Sequence, residues 1–164
     1  MAVREILLLG NPKLYEVSKE VKSKEINNLS PIIKDLHDTL MDFRKKYNAG
    51  RAIAAPQIGV MKRIIYMYLD KPFVFINPLI VKKSDELMNV WDDCMSFPYL
   101  LVKIKRHKTC SIKYLDENFN EHILKLKDDL SELLQHEYDH LNGVLAVSRA
   151  IDGKSFAIKS ARGD

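Results

Sequence analysis

The segment His136-Glu137-Tyr138-Asp139-His140 sets two histidines four residues apart, with a glutamate directly after the first. Positions four apart share a face only on a helix, so the spacing calls for a helix and lets both imidazoles reach one divalent ion. Glu137 then sits one step round, poorly placed as a ligand of that ion but able to reach a water held by it. The flanking residues agree. Asp128-Asp129 suit the positive end of a helix, Leu130, Leu133, Leu134 and Leu141 recur along it, and Asn142-Gly143 closes it. Two histidines capping a buried helix would leave the same trace. That reading would bury Glu137 without a task, at considerable cost.

Upstream, Ser30-Pro31 reads as an N-cap followed by a first-turn proline. Ile33, Leu36, Leu40 and Phe43 recur at helical spacing, with Asp35, Asp38, Asp42 and Arg44 on other faces, until Asn48-Ala49-Gly50 stops the helix. His37 reads as a partly exposed residue of that helix. From Ile53 to about Tyr114 the pattern is that of strands. Residues 64–69 and 73–76 are apolar runs with a turn at Asp70-Lys71-Pro72. Cys110, Ile112 and Tyr114 alternate with Ser111 and Lys113, and Asp116-Glu117-Asn118 turns into a further strand ending near Leu126. The expected architecture is α+β, a single domain over residues 1–164. Mostly antiparallel strands pack around the central helix that carries the two histidines, with a second helix N-terminal to them.

Composition excludes several classes. A chain of 164 residues with 46% hydrophobic and 29% charged residues can bury a core unaided. The formal charge of +4 is too small to argue for nucleic acid, and the basic stretch Lys103–Lys108 reads as a solvated strand face. The apolar run Ile6–Leu9 is too short for a signal peptide or a membrane span. Two cysteines, Cys94 and Cys110, do not make a disulfide framework. The expectation is a cytoplasmic protein with reduced thiols, no membrane and no specific nucleic acid. Cys110 is expected to be a packed core thiol.

A candidate third ligand is Cys94, within Asp92-Asp93-Cys94-Met95-Ser96; read alone it would more often be a buried thiol, and its case rests on the neighbouring segments. Two His and one Cys leave a fourth position open for water, and a thiolate suits Fe(II), Zn(II) or Ni(II) better than Mg or Ca. Gly50-Arg51-Ala52-Ile53-Ala54-Ala55-Pro56-Gln57 supplies small residues that allow close backbone approach, followed by one amide side chain.

Together these segments resemble peptide deformylase, a family whose motifs read roughly G-x-G-[apolar]-A-A-x-Q, E-G-C-[apolar]-S and Q-H-E-x-D-H. Here they stand as G-R-A-I-A-A-P-Q, D-D-C-M-S and Q-H-E-Y-D-H, in the family's order and at similar separations. The resemblance implies a hydrolase that removes the formyl group from the N-terminal methionine of nascent peptides, releasing formate. Cys94, His136 and His140 would hold one divalent metal, Fe(II) in most of the family, with Zn(II), Ni(II) or Co(II) possible in purified protein. Glu137 would be the acid–base catalyst; the Gln57 amide and the Met95 backbone N–H would meet the oxyanion. Gly50, Arg51, Ala52, Val90 and Leu133 would line the substrate site. The implied partners are an N-formyl peptide and nascent chains at the ribosome. Asp92 is expected to pair with Arg106, and Asp139 to steady the helix and its ligands, with ordinary ion pairs as the alternative for both.

Several features depart from the family pattern. Ala52 stands for a glycine, Asp92-Asp93 for Glu-Gly, and Glu132 for an apolar residue of the methionine pocket; no long further helix is expected in the residues after the catalytic one. Arg51, too, replaces an apolar residue, and its guanidinium could grip a free carboxylate. That leaves a second reading, a deformylase of free N-formyl amino acids or another small formamide. A His-Glu-x-x-His peptidase is disfavoured by Cys94, and a non-catalytic metal-binding relative by Glu137 and Gln57.

Overall fold

A computed structural model describes residues 2–163. Helix α1 spans Leu29–Tyr47 and helix α2 spans Asp128–Leu141, with a short α3 at Lys159–Arg162. The strands are β1 (Ala52–Ala54), β2 (Ile64–Tyr68), β3 (Pro72–Lys83), β4 (Leu87–Cys94), β5 (Phe97–His107), β6 (Thr109–Leu115), β7 (Glu121–Lys127) and β8 (Phe156–Ile158). They form a sheet in the order β1-β2-β3-β6-β7 and a smaller one in the order β4-β5-β8. All of these pairings are antiparallel.

The alternation of strand residues explains how both helices use one sheet. Ile64 and Tyr66 of β2 belong to the cluster under α1, with Leu36, Leu40 and Phe43. Their neighbours Ile65 and Met67 point the other way, into the cluster with Leu133, Leu134 and Leu141 of α2. Helix α2 contacts β1, β2, β6 and β7 on one side and β5 of the second sheet on the other. It is therefore central, as the sequence suggested. Gln135 ties it to β5, accepting from His107 N at 3.1 Å and donating to His107 O at 2.8 Å.

Several local expectations are corrected. Helix α1 begins at Leu29 with Asn28 as its cap residue, so Ser30 and Pro31 lie inside the first turn. A proline is tolerated there because first-turn N–H groups have no intrahelical partner. Asp35 does not face solvent. It is buried, and Arg4 Nε donates to its carboxylate at 2.7 Å, which lays the N-terminal segment across α1. Strand β3 continues beyond Ile76, although its register shifts between Ile76 and Leu79. Asn77 adopts φ 48 there and its side chain bonds both Val21 N and Val21 O at 2.8 Å. The apolar run stops at that irregularity while the ladder goes on. In the basic stretch, Lys105 faces solvent as expected, but Arg106 is only 3% exposed.

His37 is partly exposed and bonds the Tyr66 hydroxyl at 2.7 Å. Cys110 is buried against Ser131, whose hydroxyl donates to its sulfur at 3.4 Å. No helix among the described residues is long and apolar enough to cross a membrane. Gly143 ends α2 at φ 70, where an added Cβ would lie 2.4 Å from the Tyr15 carbonyl oxygen. Gly143→Ala is expected to cost about 1–3 kcal/mol in chemical denaturation, from left-handed strain and that clash together. A loss below the error of the measurement would show that the Tyr15 loop moves aside freely.

Candidate metal centre

Three elements converge. Strand β4 delivers Cys94 at its end, α2 delivers His136 and His140 from one face, and the turn after β1 delivers Gln57. Cys94 Sγ lies 3.3 Å from His140 Nε2, and the two imidazole Nε2 atoms are 3.2 Å apart. Among the described residues these three are the group whose donor atoms all fall within 4.8 Å of one another. All are buried.

This donor set fits a cation. Two ring nitrogens and a sulfur turned towards one point repel unless a positive charge stands between them. A soft thiolate with two imidazoles selects a late first-row divalent metal over Mg or Ca. The surroundings agree, because His136 Nδ1 contacts Asp92 Oδ2 at 2.8 Å, which leaves Nε2 as the ligating atom. The Ser96 backbone N–H donates to Cys94 Sγ at 3.4 Å and steadies the sulfur. Burial holds His140 well below the usual imidazole range, in its neutral, ligating form. Burial also works against a proton on His136, but the adjacent Asp92 and Cys94 outweigh it and raise its proton affinity.

Glu137 is 4% exposed, and its Oε2 has no hydrogen-bond partner in the structure. Burial pushes its carboxyl up to about 7. A proton-transfer group poised near neutrality beside a cation-binding donor set is what hydrolysis requires.

The expected outer pairings are present and extend further. Arg106 Nη2 is 3.3 Å from Asp92 Oδ2, and Arg106 Nη1 is 2.6 Å from Asp139 Oδ2. Burial alone would raise Asp92, yet His136 and Arg106 hold it below the usual carboxylate range. Arg149 adds a second cation to Asp139, with Nε at 2.7 Å and Nη2 at 2.9 Å. Sequence reasoning missed Arg149, which follows α2 in a short 3-10 turn and carries no motif of its own. It also missed Ser96, which accepts from Gln57 Nε2 at 3.1 Å, while Gln57 Oε1 accepts from Ala54 N at 3.0 Å. These bonds fix the amide beside Cys94. Asp92→Asn is expected to weaken Zn(II) binding by about 10–100-fold in a chelator competition, because it loosens the His136 ring. Unchanged affinity would mean that packing alone orients His136.

A cleft of about 280 Å³ opens on the donor set. Gly50, Arg51 and Ala52 line one wall, Cys94 and Met95 another, and Glu132 and Leu133 the face of α2 one turn before His136. Val90 is the expected substrate residue that does not reach it. It lies on β4, packed with Phe97 and Ile104 in the second sheet. Gly50 sits at φ 112, where a Cβ would approach Phe43 Cδ1 to 3.2 Å. Strand β1 is the edge of its sheet. The Arg51 carbonyl accepts from Tyr68 N at 2.9 Å, so ladder alternation turns the backbone groups of Ala52 outward, along the open edge. The Arg51 guanidinium is engaged already, 3.0 Å from Asp129 Oδ2 and 3.8 Å from Glu132 Oε2.

Chemistry of this kind, a late divalent metal with a nearby proton carrier under an open strand edge, belongs to metal-dependent hydrolases. A family profile described as polypeptide deformylase matches residues 3–155. The peptide deformylase of Pseudothermotoga lettingae is 38% identical over 157 residues, covering 96% of this chain and 88% of that one. The crystal structure of the Thermotoga maritima peptide deformylase superposes with a TM-score of 0.84 at 30% identity, covering 93% of this chain and all of that one. A Met-Ala-Ser-bound class I type b peptide deformylase from Acinetobacter baumannii gives 0.82 at 27% identity, covering 90% and 98%. The chain belongs to the polypeptide deformylase family, enzymes that remove the formyl group of nascent peptides by metal-dependent hydrolysis.

Proposed function

We propose that residues 1–164 act as one catalytic unit that hydrolyses the N-formyl group of formylmethionyl peptides, with Fe(II) as the native metal and nascent chains emerging from the ribosome, in the cytoplasm, as the substrate pool. The observation that carries this reading is the unpartnered Oε2 of the buried Glu137 carboxyl beside the Cys94, His136 and His140 donors. Cys94, His136 and His140 would hold the metal, which when bound lowers the pKa of water and polarises a carbonyl.

The chain's own residues do the rest. Glu137 takes a proton from the attacking water as the new C–O bond forms, then delivers it to the amine nitrogen as the C–N bond breaks, giving formate and a free N-terminus. The Gln57 side-chain amide and the Met95 backbone N–H are the donors proposed for the oxyanion. Gln57 is held for this by Ala54 N and Ser96 Oγ. The outward groups of Ala52 would pair with the peptide as an added strand, Gly50 would let it approach closely, and Leu133 would contribute apolar wall. Val90 is left out of the proposed set because it lies outside the cleft.

Peptides are favoured over free formyl amino acids. The guanidinium of Arg51 already faces Asp129 and Glu132, so a substrate carboxylate would have to displace one of them. The test is formate release by anaerobically purified, Fe(II)- or Ni(II)-loaded protein, comparing a formyl-Met tripeptide with free formyl-Met, with Glu137→Ala as the blank. Faster release from the tripeptide is expected. Faster release from the free amino acid would return Arg51 to the role of carboxylate grip, and no release from either with metal bound would refute the hydrolase reading.

A further inference from the structure

The cleft contains a carboxyl group that the chemistry above does not use. Glu132 stands on α2 one turn before His136, with its side chain only 15% exposed and facing the same space as Leu133, Ala52 and Cys94. The other acids lining the cleft outside the proton-transfer site have close partners. Asp92 is taken by His136 and Arg106, and Asp93 by Lys159 Nζ at 2.9 Å. Arg51 gives its short contact, 3.0 Å, to Asp129; its distance to Glu132 is 3.8 Å, beyond a hydrogen bond. The other neighbour of Glu132, Asp92, is a like-charged carboxyl already held by His136 and Arg106, so Glu132 keeps acceptor capacity facing the cleft.

Resting on the deformylase reading, the occupant of that space follows from bond lengths. A formyl carbon held at the Cys94–His136–His140 site is two bonds from the Cα of the residue it caps. In a cleft of about 280 Å³, that residue's side chain falls within the same cleft. We propose that Glu132 is a specificity-determining residue: it offers a hydrogen-bond acceptor to the substrate's first side chain, so that a side chain of methionine's length ending in an N–H donor is accepted alongside methionine. A thioether offers this half-buried carboxyl no hydrogen bond and leaves it only the Arg51 guanidinium at 3.8 Å, whereas a terminal amide or ammonium donates to it directly.

The test compares formyl-Gln-Ala-Ser with formyl-Met-Ala-Ser on metal-loaded wild type, Glu132→Leu and Glu132→Gln, each checked for metal content and Tm. Binding of the products Gln-Ala-Ser and Met-Ala-Ser is measured in parallel by calorimetry. The Gln-to-Met ratio, in kcat/KM and in affinity, is expected to fall about tenfold or more in Glu132→Leu. Glu132→Gln, which still accepts through its amide oxygen, should retain most of the ratio. A ratio unchanged in a folded, metal-loaded Glu132→Leu overturns the proposal. If no formyl peptide is hydrolysed at all, the hydrolase reading fails separately, and the product affinities decide the role of Glu132 by themselves.

Discussion

Glu137→Ala is expected to lower kcat for formate release by about 10²–10⁴-fold, the range supplied by a positioned acid–base group. Bound metal and KM should change little, because Glu137 is not one of the three converging donors. The expectation rests on geometry first. The side chain is 4% exposed, its Oε2 has no partner, and it follows His136 directly on the face of α2 that lines the cleft. A carboxyl buried in this way is otherwise a liability, so removing it should not unfold the protein and could raise Tm. Glu137→Gln separates proton transfer from shape. It fills the same volume and still forms hydrogen bonds, yet cannot carry a proton between water and amine, so it should be as inactive as alanine. If the glutamine variant kept more than about a tenth of wild-type kcat, Glu137 would be acting through position or electrostatics and the proton would travel by another route.

The helix α2 and its pair of histidines were legible from the sequence because one regular pattern encodes both. The 3.6-residue period that turns Leu130, Leu133, Leu134 and Leu141 towards the core also sets His136 and His140 on one face. Cys94 and Gln57 were legible only through the company of neighbouring residues in a family-like order. A lone cysteine or glutamine carries no period and no spacing rule. The charged framework was half visible. Asp92 with Arg106 was expected, but Arg106 itself lay within a stretch that reads as a solvated strand face. Only the register of β4 against β5, Asp92 with Val102 and Met88 with Arg106, turns it inward. Arg149 was invisible because its partner Asp139 belongs to another element, and sequence distance says nothing of that approach. Ser30 misled for the opposite reason: a good cap followed by proline is a local preference, but a 3-10 turn over Ser23–Asn28 runs straight into α1, which begins at Leu29. Arg51 and Glu132 were each noticed alone, yet only the fold sets one against the other across the cleft.

Asp139→Ala is expected to cost about 3–5 kcal/mol of stability, the largest loss predicted for any single side chain here. Arg106 has a side chain only 4% exposed and depends on Asp139 at 2.6 Å and Asp92 at 3.3 Å. Without Asp139 it is left buried with the weaker of its two partners, which His136 also claims. Arg149, with a side chain 46% exposed, can turn to water and contributes less to the loss. For a chain of this size the cost corresponds to a fall in Tm of about 6–20 °C by scanning calorimetry. By contrast, Lys34→Ala, which breaks the exposed pair with Asp38, should leave Tm within error. The mechanism is checked by a double variant. Adding Arg106→Met to Asp139→Ala removes the uncompensated cation, so the pair should be more stable than Asp139→Ala alone. If the two losses simply add, the cost of Asp139→Ala comes from packing around α2 rather than from a stranded charge. The framework would then hold the metal ligands by shape and not by its ion pairs.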